Sequence, residues 1–301
     1  MAGIKVWIEA FRLRTLPLAF SSIFMGAFLA EVYSVFRWDI LVWSMLTTLF
    51  LQVLSNLAND YGDAQSGVDG ADRKGPSRAV SSGLISREAM KRALIIASLL
   101  SLVSGIYLIW LAFGNQLTEV LIFLALGLGA IAAAINYTVG KRPYGYAGFG
   151  DFFVLVFFGI VGVAGSFYLY AVTFYPIILL PAFSCGFLSV GVLNVNNIRD
   201  IESDRKNGKN SIPVRLGRVK AVWYHWALLV AAMLASVVYV VLTGGHWFGY
   251  GFLLITPLLV SNIIAVNTKT SANKLDPYLK QLAITTLLFV ILFGLGQILF
   301  I

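Results

Sequence analysis

Between Asp151 and Arg199 the chain reads FFVLVFFGIVGVAGSFYLYAVTFYPIILLPAFSCGFLSVGVLNVNNI, residues 152–198, 47 positions without a charge. One helix crossing the hydrocarbon core of a bilayer needs about 20 apolar residues. This run therefore holds two, and it breaks at Tyr175-Pro176, where proline ends a helix. A second uncharged run, 221–268, holds two more, divided near Thr243-Gly244-Gly245. Single spans fit 15–30, 40–59, 93–118, 120–140 and 281–301. The expected fold is all-α: a polytopic membrane protein of nine transmembrane helices, forming one domain over 1–301.

Composition supports this reading. Of the 301 residues, 59% are apolar and 12% charged, and mean hydropathy is +0.84. A soluble globule of this size cannot hide so much apolar surface, which excludes a soluble enzyme and a disordered chain. A membrane β-barrel would show short alternating segments instead of long apolar runs. The only cysteine, Cys185, excludes an intrachain disulfide and a thiolate metal cluster.

The basic residues test the span count. With nine spans, one face holds the N-terminus and the loops after the second, fourth, sixth and eighth. Every Lys and Arg except Arg37 falls on that face. One miscounted span would destroy the separation. The positive-inside rule then places the N-terminus and the basic loops in the cytoplasm. No cleavage site follows the first apolar segment, which reads as a retained helix. Ahead of it, Ile4, Trp7, Ile8 and Phe11 fall at helical spacing opposite Lys5, Glu9 and Arg12. Residues 2–13 are expected to form an interfacial anchoring helix.

Eleven of the 14 acidic residues share the basic face, seven of them in two segments. One begins Asn56-Leu-Ala-Asn59-Asp60-Tyr61-Gly62-Asp63 and continues to Asp69 and Asp72. The other runs from Asn196 through Asp200 to Asp204. Each ends a span, and their likeness predicts two related halves with motifs at 56–72 and 196–209. Asn59 and Asp63 are four apart, as are Asn196, Asp200 and Asp204 in turn, so each set stacks on one helix face. Such columns of hard oxygen ligands suit Mg²⁺, which takes one or two carboxylates and completes its shell with water and phosphate. His225 and His246 lie near neither segment. Arg73, Arg78, Lys209 and the pair Lys141-Arg142 accompany the acids, and cations beside carboxylate-held Mg²⁺ accommodate a diphosphate. No phosphate-binding G-x-x-x-x-G-K-[ST] loop is present. Asp151 opens a span, where it serves as a helix cap or as a base.

The two acidic segments resemble the signatures of the UbiA-type intramembrane prenyltransferases. Further strings extend the likeness from residue 12 to about 280: Arg73-Lys74-Gly75-Pro76-Ser77-Arg78, Arg142-Pro143-Tyr144-Gly145-Tyr146, Asn196-Asn197-Ile198-Arg199-Asp200 and Leu275-Asp276-Pro277. Those strings are similar to the branch that prenylates dihydroxynaphthoate in menaquinone synthesis. Gly67 stands where the general pattern has a second Asp, and Asp69 is expected to replace it. The resemblance implies Mg²⁺ on Asn59, Asp63, Asp69, Asn196, Asp200 and Asp204, with Asp60 beside them. It implies polyprenyl diphosphate and dihydroxynaphthoate as substrates, a demethylmenaquinone product, and a bacterial cytoplasmic (inner) membrane location. Lys141, Arg142 and Lys209 are the candidate diphosphate contacts, with Arg73 nearby. Arg78 and Arg142 are candidates for the acceptor carboxylate, and Asp151 for a base beside the catalytic Asp63 and Asp200. Tyr61, Tyr137 and Tyr144 are candidate aromatic faces for an allylic cation. Two other readings stay open: another acceptor, such as 4-hydroxybenzoate, and a cation-coupled transporter.

Overall fold

The computed structural model describes residues 3–66 and 78–299. Asp69, Arg73 and the Gly67 position lie outside the described residues. Among the described residues the chain is helical without strands, and nine helices are long and apolar enough to cross a membrane. Both long uncharged runs divide where expected.

The short helix α1 (Ile4–Phe11) precedes the first span and ends at Arg12, which is left-handed at φ 51°. A single 3₁₀ turn leads into α2 (Leu16–Val32), with Pro17 in its first turn, where a missing N–H does no harm. The elbow is pinned to the next span, α3 (Trp38–Ser66). Asn56 Nδ2 donates to Phe11 O at 2.9 Å and to Thr15 Oγ1 at 3.1 Å, and Gln52 Nε2 donates to Thr15 Oγ1 at 3.0 Å. Then come α4 (Arg87–Phe113), α5 (Leu117–Asn136), α6 (Gly150–Ala171) and α7 (Pro176–Arg199). Ser86 caps α4, accepting from the Ala89 amide at 3.2 Å. A short α8 (Ile201–Lys206) follows. The last spans are α9 (Ile212–Leu242), broken at Gly217, α10 (Trp247–Thr268) and α11 (Ala272–Ile298).

Helix α7 is the axis of the bundle. It packs against α6, α9 and α11, and Ala182, Cys185, Leu188 and Val195 along it are fully buried. A glycine pair sets its crossing with α6. A Cβ on Gly159 would stand 2.8 Å from Ala182 O and 3.1 Å from Gly186 Cα. Only glycine permits that approach, as in membrane helix pairs generally. Outer faces of α4 and α5 stay apolar: Ile95, Leu99, Val103, Leu121 and Ile122 are all exposed. Water would not tolerate such a surface and lipid does.

Within α6, Leu155–Gly165 form a π-helix. Its i→i+5 bonding widens the turn, and such stretches are rare and frequently placed at functional sites. Ser22 Oγ of α2 donates to Phe158 O at 2.5 Å, tying the stretch to α2. Phe157, Phe158, Val161 and Gly162 of the stretch face the main cavity.

Candidate active site

Helices α2–α7 and α11 enclose one cavity of about 790 Å³. Its two ends differ in chemistry. At the mouth the wall carries Asn59, Asp63, Arg78, Asn196, Asp200, Asp204 and Lys209. Further in it is made of Leu108, Ile109, Phe123, Phe153, Phe157 and Leu169. The cavity is therefore a polar head chamber on an apolar shaft.

The two acidic segments meet at this mouth although they are far apart in sequence. Asn59 and Asp63 sit on the last turns of α3, and Asn196 on the last turn of α7. Asp200 is the hinge between α7 and α8, and Asp204 lies on α8. The fourfold spacing carries both sets inward. Thr138 ties Asn59 in place, donating to Ala58 O at 2.9 Å and to Asn59 Oδ1 at 3.3 Å.

Each carboxylate at the mouth meets a cation. Arg78 pairs with Asp63, which also accepts from Tyr146 Oη at 2.7 Å. Arg199 forks onto Asp200, Nε to Oδ1 at 2.8 Å and one Nη to Oδ2 at 2.7 Å. Lys209 Nζ lies 3.2 Å from Asp204 Oδ2. A turn at Gly208, φ 71°, brings Lys209 back beneath α8, and its amide donates to Asp204 O at 2.9 Å. Burial opposes the charged form of Lys209, yet Asp204, Tyr137 and Asp63 together raise its pKa above the ordinary value. Burial lifts the Asp204 carboxyl above the usual carboxylate range; Lys209 pulls it down, and Asp200 and Asp63 push it up. Burial also raises the pKa of the Tyr137 phenol, and Lys209 opposes that rise.

Tyr137 and Tyr144 both face the cavity, as expected. Their rings meet edge-on with centroids 5.4 Å apart, and Tyr144 stacks on Phe153 at 4.0 Å. Tyr144 Oη is occupied by Ala133 O at 2.8 Å, so only its ring is offered to the cavity. Tyr61 does not reach the wall.

Four other expected residues stand elsewhere. Asp60, expected beside the metal ligands, points to the other face of α3. There it caps the turn after residue 77, accepting from the amides of Ala79 at 2.9 Å and Val80 at 3.1 Å. Neighbours on a helix face different directions, and this one takes the backbone donors. Lys141 and Arg142 are exposed and off the wall, because the loop from α5 turns them outward. Asp151 is buried near the start of α6, where Tyr224 Oη donates to it at 2.9 Å, and it does not line the cavity.

Conversely, Tyr146, Arg199 and Asp276 contact the motif residues without having been singled out for the site. Each stands within a quoted string; Arg199 adjoins Asp200 and Tyr146 lies two residues from Tyr144, whereas Asp276 has no site candidate near it in sequence. Their place in those strings is the available signal, although spacing alone pairs none of them.

Among the described residues, no three Asp, Glu, His or Cys side chains stand close enough to hold a metal by themselves. The donors suit another arrangement. Asn and Asp oxygens from two helices face one chamber, ready to share Mg²⁺ with phosphate oxygens and water.

A membrane-embedded bundle with paired carboxylate segments over an apolar shaft is the architecture of an intramembrane prenyltransferase. The UbiA prenyltransferase family model matches residues 19–296, and the chain belongs to that family. Its relatives are more specific. It is 46% identical over 97% of its length to a 1,4-dihydroxy-2-naphthoate octaprenyltransferase of Haemophilus influenzae, covering 96% of that protein. It is 45% identical to the Escherichia coli protein of the same name, covering 97% of this chain and 94% of that one. A solved UbiA homologue from Aeropyrum pernix superposes with a TM-score of 0.68 over 99% of both chains at 17% identity, which shows the shared fold. One from Archaeoglobus fulgidus, bound to DMAPP and Mg²⁺, gives 0.59 at 18% identity, covering 96% of this chain and 99% of that one.

Proposed function

We propose that this enzyme transfers a polyprenyl group from polyprenyl diphosphate to 1,4-dihydroxy-2-naphthoate, with loss of diphosphate and CO₂, giving demethylmenaquinone. It works in a bacterial cytoplasmic membrane with its N-terminus and the cavity mouth on the cytoplasmic side. The observation that carries the reading is the convergence of the α3 and α7 acids with Arg78 and Lys209 at the polar end of one apolar cavity. The naphthoate-specific names of the relatives at 46% and 45% identity support the acceptor.

The residues divide the work. Asn59, Asp63, Asn196, Asp200 and Asp204 would hold Mg²⁺, as the metal-bound relative makes reasonable. When bound, Mg²⁺ acts as a Lewis acid that neutralises the leaving diphosphate. Lys209, charged and directed at the same chamber, takes further diphosphate charge. Tyr146 orients Asp63, and Arg199 orients Asp200. The apolar shaft holds the tail, and it keeps water from the allylic carbon as its bond to oxygen weakens. Rings of Tyr137, Tyr144 and Phe153 stand where cationic character would develop. Arg78, buried beside Asp63, is the preferred cation for the acceptor carboxylate, because Arg142 faces away from the cavity.

The test is turnover by purified protein given dihydroxynaphthoate and a labelled polyprenyl diphosphate, with Mg²⁺ and then with excess chelator. Metal-dependent lipid product with equimolar CO₂ is expected. Product with another phenol but none with the naphthoate would overturn the acceptor and keep the prenyl chemistry.

A further inference from the structure

Asp276 lies on α11, distant in sequence from both acidic segments, yet it is joined to them. Arg199 Nη1 donates to Asp276 Oδ1 at 2.6 Å across a separation of 77 residues. The same guanidinium holds Asp200 with two bonds and donates to Asn196 Oδ1 at 2.8 Å. Its side chain is only 6% exposed, so those bonds are its environment. A buried guanidinium is a rigid planar fork. Fixing one tine fixes the others.

We propose that Asp276 is a positioning residue for metal capture, acting through Arg199 on Asp200 and Asn196. This inference rests on the reading of those two residues as metal ligands. Two physical effects point the same way. First, Asp276 anchors the outer side of the fork, so Asp200 and Asn196 are presented in one geometry instead of several; partners behind a ligand commonly govern metal affinity. Second, Asp276 balances the Arg199 charge. Without it a full positive charge would sit beside Asp200 in a site meant for a divalent cation. Helix α11 supplies the anchor firmly. Leu275 is fully buried and holds the turn that carries Asp276, whose own side chain is 42% exposed on its outer side.

The mouth is therefore built from α3, α7, α8 and α11, with α11 contributing no ligand but setting the posture of two. Metal binding by this network can be read without turnover. The full-length enzyme in detergent, with inorganic pyrophosphate supplying the phosphate oxygens, is titrated with Mn²⁺, followed by electron paramagnetic resonance, and with Mg²⁺, followed by thermal stabilisation. Asp276→Asn should raise the half-saturating metal concentration about tenfold, in line with the loss of an outer-layer partner. Its melting temperature without metal should stay close to the parent's. Asp276→Glu, which keeps the charge, should recover most of the affinity. An Asp276→Asn protein that is folded and binds metal like the parent would overturn the proposal. So would an Asp276→Glu protein as impaired as Asp276→Asn, since charge and reach would then be irrelevant. If Asp276→Asn does not fold, Asp276→Glu and Asp276→Ser decide the matter by the same two readouts. A parent enzyme that binds neither metal would instead sink the metal reading of the site itself.

Discussion

At the scale of single residues, the mouth is a set of carboxylates each held by one cation. Replacing Asp63 or Asp200 by Ala should abolish turnover while leaving the bundle folded, because both lie at the mouth and not within the packed core. Circular dichroism and product assay together check this; full activity in either variant would remove that residue from the metal site. The pH dependence follows from Asp204. Burial raises its pKa, so its proton persists to higher pH than an ordinary carboxyl's, and metal must displace it. Activity should therefore fall on acidification as Asp204 protonates. Lys209 lowers that pKa, so Lys209→Gln should move the acid limb of the kcat/KM profile to higher pH. It should also raise the KM for the prenyl diphosphate more than that for the acceptor. An unmoved acid limb would separate Lys209 from Asp204. Fourfold spacing made Asn59, Asp63, Asn196 and Asp204 legible from sequence. It could not reveal the cation partners, because Arg199 grips the residue next to it and Asp276 across the fold.

At the scale of elements, the α6–α7 crossing is a close backbone contact beside the cavity. A side chain at Gly159 would drive into the Ala182 carbonyl, a backbone atom that cannot step aside. Gly159→Val should lower stability by about 1–3 kcal/mol, as overpacking does. Gly129→Ala on α5 meets nothing within 4 Å and should be near neutral. Thermal denaturation of the two variants in one detergent compares them directly, and equal melting temperatures would refute the close-contact argument. Helix ends were readable wherever proline or glycine punctuates the chain, as at Tyr175-Pro176 and Gly244. The π stretch was not, since its apolar residues carry no periodicity that separates π from α winding.

At the scale of the molecule, the nine spans are legible because long uncharged runs, cut by charged loops, mark them. Depth within the cavity was not legible, because it depends on which faces of seven helices turn inward. The proposed orientation has a direct test. Cys185 is buried, and Cys185→Ser gives a background without thiols. On it, a cysteine replacing Arg87 should react with a membrane-impermeant maleimide only from the cytoplasmic side. One replacing Arg37 should react only from the opposite side. The reverse pattern would invert the protein in the membrane.

The π-helical stretch of α6 carries a consequence for the loss of a residue. In an ordinary transmembrane helix, losing one residue turns everything beyond it by about 100° about the axis. Here the wide winding of 155–165 has a residue to give up, because a deletion is taken up by tightening toward α register. The flanking turns then keep nearly the facing they had. What is lost is the widened wall itself, where Phe157, Phe158, Val161 and Gly162 meet the cavity. A one-residue loss in this window is therefore expected to spare insertion and folding while altering the pocket, whereas the same loss in α4 or α5 would turn a whole helix end.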